Sequence, residues 1–264
     1  MKLRFASLGS GSGGNSYCLS LDGFTLMIDC GFSCREMVKR CRANGVDPRT
    51  VFAVVLTHSH DDHVRGVKGL RKILPWAKFY ASDLTAEAVA ARMRLSEDDF
   101  LVFEKGQAFD AGPFSVRAFP VPHDTPDCSG YVVETHGFTY FHATDVGQPL
   151  DSIGENFALA DLATLEFNHD PTLLATSKRP RKLKRRIKGP SGHLSNFDAA
   201  SLVGKFASPR LKKVFLAHIS RECNSPHLAE EEFRRALEEA GKPQVPCECL
   251  SQTDGALWET EIQQ

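Results

Sequence analysis

A continuous apolar run at residues 51–56, Val-Phe-Ala-Val-Val-Leu, ends abruptly on Thr57-His58-Ser59-His60-Asp61-Asp62-His63, and no other stretch constrains this chain as much. Six apolar residues are few for a core helix. With no polar alternation they read as a strand buried on both faces, the kind found in parallel sheets covered by helices. A tight turn leaving such a strand aims successive side chains at one point. Three imidazoles and a carboxylate within six residues then form a concentrated set of nitrogen and oxygen ligands for a divalent cation. A merely solvated turn is the bland reading, and three of only ten histidines gathered in one turn argue against it.

The flanking sequence alternates strands and helices. Residues 3–8, 16–21 and 24–29 read as strands, the last two joined by Asp22-Gly23, a favourable hairpin pair. Ser33 is placed to cap a helix that runs to about Asn44 and stops at Gly45. Helical periodicity returns at 64–74 and 84–93, and residues 114–141 are strand-rich, with Pro120, Pro122 and Pro126 at one bend. Strands recur at 162–167 and 214–217, with helices opening near Ser195 and Pro226. Two similar runs with no linker between them suit an α/β architecture in a single domain over residues 1–264, with sheets inside and helices outside. Gly9-Ser10-Gly11-Ser12-Gly13-Gly14 formally meets the glycine pattern of dinucleotide-binding loops. The next residues, Asn15-Ser16-Tyr17-Cys18-Leu19, read as a strand, whereas that loop requires a helix.

With 42% apolar and 25% charged residues the composition is that of an ordinary globular protein, and no apolar run approaches the length of a membrane span. The opening Met1-Lys2-Leu3-Arg4-Phe5 leads straight into a strand and lacks the apolar core of a signal peptide, so a cytoplasmic location is expected. The eight cysteines are accordingly expected as reduced thiols, and neither Cys247 with Cys249 nor Cys30 with Cys34 has the spacing of a zinc ribbon. Charge is more telling. Residues 178–188 hold eight Lys and Arg and no acid while the chain's net charge is −1, so the remainder carries nine more acids than bases. An acidic body with one basic segment points to a local phosphate-binding element.

The 57–63 segment matches the His-x-His-x-Asp-His motif of the metallo-β-lactamase superfamily, and the chain resembles that family further, in order, at Asp29, His123, Asp145 and His218. The resemblance implies an αββα sandwich with two divalent metal ions at one edge of its sheets. His58, His60 and His123 would bind one ion, Asp62, His63 and His218 the other, with Asp145 bridging and Asp29 steadying the ligand turn. The histidine and carboxylate set serves zinc and manganese alike. His136, His142, His169 and His227 fall outside the pattern and read as hydrogen-bonded structural groups.

Closer resemblance lies in Ser-Leu-Gly-Ser-Gly-Ser-Gly-Gly-Asn-Ser at 7–16, Asn-His-Asp at 168–170, Gly-His-Leu-Ser-Asn at 192–196 and His-Ile-Ser at 218–220, which are similar to the YycJ/WalJ group of bacterial metallo-hydrolases. That resemblance implies a 5′ to 3′ exonuclease acting on double-stranded DNA through a metal-activated hydroxide. As in RNase Z enzymes, His193 would protonate the leaving oxygen and Glu166 would orient it, with Asp62 completing the catalytic set. Ser10, Ser12 and Asn15 of the first loop, Ser195 and Asn196, Ser220, and Lys184, Arg185, Arg186 and Lys188 are the candidate substrate contacts. The basic segment at 178–190 lies between Glu166 and His193, where a phosphate clamp makes more sense than a solvated face. The large β-CASP insertion of RNase J enzymes has no room here. The rival readings are an RNA-processing nuclease, a glyoxalase II-like thioesterase on the same metals, and a nucleic-acid-binding scaffold without activity.

Overall fold

The computed structural model describes residues 1–263. Its first sheet contains β1 (Lys2–Gly9), β2 (Ser16–Leu21), β3 (Phe24–Ile28), β4 (Val51–Val55), β5 (Lys78–Ala81) and β6 (Leu101–Val102). Its second contains β7 (Ala108–Ala111), β8 (Phe114–Pro120), β9 (Ser129–Thr135), β10 (Phe138–Ala143), β11 (Leu162–Glu166), β12 (Lys213–Ala217) and β13 (Cys247–Cys249). A last strand, β14 (Ala256–Glu261), returns to pair antiparallel with β1. The spatial orders are β14-β1-β2-β3-β4-β5-β6 and β13-β12-β11-β10-β9-β8-β7. Each sheet turns from antiparallel to parallel part-way, at β3 and at β10.

Helices cover both outer faces. On the first sheet lie α1 (Cys34–Ala43), the single turn α2 (Asp61–Val64), α3 (Val67–Ile73) and α4 (Asp83–Met93). Met37, Cys41, Val67, Leu70 and Val89 there pack on Met27, Val54, Leu56 and Phe79. Three helices cover the second sheet: α5 (Asp151–Phe157), α8 (Asn196–Phe206) and α9 (Pro226–Glu239). Two short helices, α6 (Pro171–Thr176) and α7 (Arg181–Ile187), stand beside them. Between the sheets Phe5, Tyr17, Leu26, Val55, Tyr131, Tyr140 and Phe215 form the central core. Each such side chain, fully buried, contributes about 1.5–3 kcal/mol of transfer free energy. This is the expected αββα sandwich. No helix among the described residues is long and apolar enough to cross a membrane, and all eight cysteines are free.

Local signals act as anticipated at several points. Asp22 and Gly23 both take positive φ in the β2–β3 turn, and Ser33 accepts a hydrogen bond from the Glu36 amide to cap α1. The helix expected at 64–74 is interrupted between α2 and α3. At the break Gly66 is wedged against the backbone of Cys30 and Phe32, where an added Cβ would sit 2.7 Å from the Phe32 oxygen. The basic segment forms α7, with Leu183 and Ile187 packed on Leu174 and Cys223 and the cations outward.

Candidate metal centre

The parallel halves of the two sheets present their carboxyl ends to one edge, where crevices form in α/β folds. Asp29 follows β3, residues 57–63 follow β4, Asp145 follows β10, Glu166 ends β11 and His218 follows β12. Asp29, Asp145 and His218 have φ values of 58°, 57° and 57°, in the left-handed region that side chains other than glycine seldom occupy. Three such residues, each just past a strand end, mark backbone held in place by its surroundings. Gly31 shows how close those surroundings are: a Cβ there would lie 1.7 Å from the Asp62 carbonyl oxygen. Asn15 N donates to that oxygen and Cys30 N to the His63 oxygen, each at 2.8 Å, so the first two loops brace the ligand turn.

Most of the clustered imidazoles have Nδ1 engaged outside the cluster, which turns Nε2 inward. Thr57 Oγ1 lies 2.9 Å from His58 Nδ1, Asp29 Oδ2 2.7 Å from His63 Nδ1, and the Gly192 oxygen 3.1 Å from His123 Nδ1. Glu166 Oε1 meets both His218 Nδ1 at 2.8 Å and His193 Nδ1 at 2.9 Å. His60 is reversed. Its Nδ1 faces His58 Nε2 at 3.1 Å and His123 Nε2 at 3.3 Å, a spacing at which three nitrogens hold a proton or a cation between them. His218 Nε2, buried and without a hydrogen-bond partner among the described residues, is a second open ligand position. Asp145 lies between the two groups, with Oδ2 3.0 Å from His63 Nε2 and Oδ1 3.3 Å from His218 Nδ1 and 3.8 Å from His123 Nε2. Asp62 Oδ2 is 3.8 Å from His63 Nε2. These His and Asp clusters are compatible with divalent metal binding.

The electrostatics agree with the donor set. Burial opposes charge on His63, yet Asp29 and Asp145 on either side hold its pKa well above the usual imidazole range. Burial likewise opposes charge on His218, and Asp145 with Glu166 lifts it to about 9. Glu166, which burial alone would push up, is drawn down to about 2 by His193 and His218. In the metal-free chain these protons balance the buried carboxylates. A divalent cation would do the same.

The pocket in front of the cluster, about 260 Å³, is lined by Ser12, His60, Asp62, Asp145, Arg186 and His193, among others. Of the other substrate candidates, Asn15 lies deeper, its Nδ2 3.0 Å from His63 Nε2. Five candidates have other partners. Ser10 is buried and accepts from Tyr17 Oη and the His218 amide, both at 2.8 Å, so it ties the first loop to β12. Asn196 is buried and pairs both amide atoms with Asn224, at 2.9 and 2.8 Å. Lys184 donates to the oxygens of Ala175 and Ser177 at 2.7 and 2.6 Å, which joins α7 to α6. Ser220 accepts from the Cys223 amide, and Ser195 caps α8. Arg185, Lys188 and Ser195 face a different, larger cavity.

Sequence reasoning missed Thr57, Asn168 and Asp124. Thr57 bridges Asp29 to His58, Asn168 donates to the His218 oxygen, and Asp124 pairs with Arg186 at the pocket mouth, 3.3 Å from His123 Nε2. Thr57 and Asp124 each adjoin a proposed ligand in sequence, which was the available signal. Of the four unassigned histidines, His142 is buried beside Tyr140 and, with burial as the chief cause, falls to about 3. His169 departs from expectation: it is buried, and its Nδ1 meets no hydrogen-bond partner among the described residues.

Comparison with known proteins accords with this geometry. The beta-lactamase superfamily domain matches residues 25–219. Exodeoxyribonuclease WalJ of Streptococcus pneumoniae serotype 2 is 30% identical over 240 residues, spanning 90% of this chain and 89% of its own length. Exodeoxyribonuclease YycJ of Bacillus anthracis is 30% identical over 244 residues, 91% of each chain. The crystal structure of the metallo-beta-lactamase fold protein YhfI from Bacillus subtilis shares the fold, with a TM-score of 0.74 over 98% of this chain and all of its own at 17% identity. A match over most of the chain to that family, from the strand before Asp29 to just past His218, means that this protein belongs to the beta-lactamase superfamily, alongside WalJ and YycJ.

Proposed function

We propose that this chain is a metal-dependent phosphodiesterase that removes nucleotides from the 5′ end of double-stranded DNA. His58, His60 and His123 would hold one divalent ion and Asp62, His63 and His218 a second, with Asp145 between them. Ions bound there, zinc or manganese, would supply the Lewis acidity that activates water and offsets charge on the phosphate. The names of the WalJ and YycJ relatives support a nuclease.

The observation that carries the reading is the contact of His193 Nδ1 with Glu166 Oε1 at 2.9 Å, beside the ligand cluster and at the wall of the same pocket. Glu166 Oε2 is fixed in turn by the amides of Val146 and Leu194, at 2.8 and 3.1 Å. A carboxylate held this firmly fixes the ring, so that Nε2 is the atom left to deliver a proton into the pocket. A sugar alkoxide needs that proton as it leaves. A thiolate, whose conjugate acid is far stronger, leaves without one, so a thioesterase has no evident use for the pair. Arg186 at the pocket wall adds a cation where a phosphate would lie.

The direct test incubates protein loaded with zinc or with manganese with end-labelled duplex DNA, single-stranded DNA and RNA side by side. Release of nucleotides from the 5′ end of the duplex is the expected result. Hydrolysis of a glutathione thioester with no cleavage of any nucleic acid would overturn the reading.

A further inference from the structure

Helix α7 is a wall between two cavities. Arg186 faces the pocket of the ligand cluster, while Arg181, Lys184, Arg185 and Lys188 line a second cavity of about 820 Å³ on the other side. Those four positions follow the i, i+4 and i+3 spacing that puts residues on one helical face. The segment from His193 to Ser195 divides in the same way, His193 to the first pocket and Ser195 to the second. The second cavity lies within the range of about 300–1,000 Å³ typical of small-molecule sites.

Its lining is of two kinds. On the α7 side Arg181, Arg185 and Lys188 are exposed and carry no ion pair among the described residues. Opposite them Phe197, at the start of α8, is 60% exposed, an unusual exposure for a large aromatic ring. His169, only 3% exposed and with its buried Nδ1 unpartnered among the described residues, completes this side, and Leu174 and Pro171 add apolar surface. One side is suited to an anion. The other offers a flat apolar face and an unused polar edge, together with the Asp198 carboxylate, which accepts a hydrogen bond from Ser195 Oγ at 2.7 Å and keeps the anion on the α7 side.

We propose that this cavity seats the nucleotide on the leaving side of the scissile bond, an assignment that rests on the phosphodiesterase reading. Its 5′-phosphate lies against Arg181, Arg185 and Lys188, and its base stacks on Phe197 with His169 at the edge. The side is set by the chain path: the oxygen protonated by His193 belongs to the departing nucleotide, and two residues beyond His193 the chain lines this cavity. Stacking on an aromatic ring accepts any base, so the site favours a nucleotide end without reading sequence.

Calorimetric titration of the metal-loaded protein with 2′-deoxyadenosine 5′-monophosphate and with 2-deoxyribose 5-phosphate tests this. Phe197→Ala is expected to weaken the mononucleotide by about 10-fold, the scale of one base–aromatic stack. It should leave the sugar phosphate within about twofold, and Phe197→Trp should retain mononucleotide affinity. Arg185→Ala should weaken both ligands. Both residues are at the surface, so folding is not at risk. Equal mononucleotide affinity in wild type, Phe197→Ala and Arg185→Ala would place the phosphate at the metal centre alone and overturn the proposal. On duplex DNA, Arg185→Ala should abolish a wild-type preference for 5′-phosphorylated over 5′-hydroxyl ends, and an unchanged preference would equally overturn it. Titration needs no turnover: a wild type that binds the mononucleotide through Phe197 yet cleaves no nucleic acid refutes the phosphodiesterase reading while leaving the nucleotide site intact.

Discussion

His193 Nδ1 lies 2.9 Å from Glu166 Oε1, and the same oxygen lies 2.8 Å from Nδ1 of His218. One buried carboxylate thus serves both the proposed proton donor and a proposed metal ligand. Loss of the imidazole of His193 leaves that ligand supported, whereas a change at Glu166 reaches both.

His193→Ala is therefore expected to keep its metal content and its DNA binding while losing roughly 10²–10⁴ in cleavage rate, the usual worth of a positioned proton donor. A nitrophenyl phosphodiester, whose leaving group needs no proton, should lose much less. Equal losses on both substrates would refute the leaving-group role. Loss of metal from the variant would instead make His193 a ligand, an arrangement its nearness to Asp145 and His218 permits.

Glu166→Gln should lose rate as well, and through His218 it should also lower metal affinity by roughly 10–100-fold, as outer partners of metal-binding histidines do. Metal titration beside single-turnover kinetics separates the two effects. A Glu166→Gln protein with wild-type metal affinity would show that the contact with His218 is incidental.

Metal binding should release protons. His218 rises to about 9 in the metal-free chain, so near pH 7 its ring carries a proton that an incoming cation must displace. Affinity should climb by about tenfold per pH unit for each proton released and level off once the pH passes the raised pKa. Calorimetry in buffers of different ionisation enthalpy counts the protons. In the same experiment Asp62→Ala should empty mainly one site, and Asp145→Ala should weaken both.

The cations of α7 should differ in their effects. Replacing Arg181, Arg185 and Lys188 with Ala should flatten the salt dependence of DNA binding by about 0.9 unit of slope for each phosphate no longer neutralised. Lys184→Ala, which frees two carbonyls of the α6 end, should lower Tm and leave the slope unchanged. Anisotropy titrations across salt concentrations, set beside thermal melts, distinguish these outcomes.

Asn196→Ala should cost about 1–3 kcal/mol by removing two buried hydrogen bonds to Asn224, whose amide keeps only the Phe167 oxygen and the Ser225 amide as partners. Activity per folded molecule should persist, because the side chain does not line the ligand-cluster pocket. A variant of normal stability but weakened DNA binding would return Asn196 to the substrate surface.

The local sequence determined the strand at 51–56, the turn at Asp22-Gly23, the cap at Ser33 and the dense ligand segment after β4, because each depends on contacts within a few residues. The short strands β5 and β13 and the edge strand β14 were not legible, since their partners lie far away in the chain, and β7, though it pairs with the adjacent β8, is only four residues long with a mixed pattern. Ligand order could be read from the resemblance. Which nitrogen four of the histidines turn inward could not, because that depends on partners 27 to 69 positions away: Asp29 for His63, Gly192 for His123 and Glu166 for His193 and His218. The run of eight cations announced a phosphate-binding element, yet only the packing of Leu183 and Ile187 against Leu174 and Cys223 folded it into a helix. That packing decided which charges face the ligand cluster, which face the second cavity and which are spent on carbonyls. Residue identity supplied the charges, and burial of the apolar face aimed them.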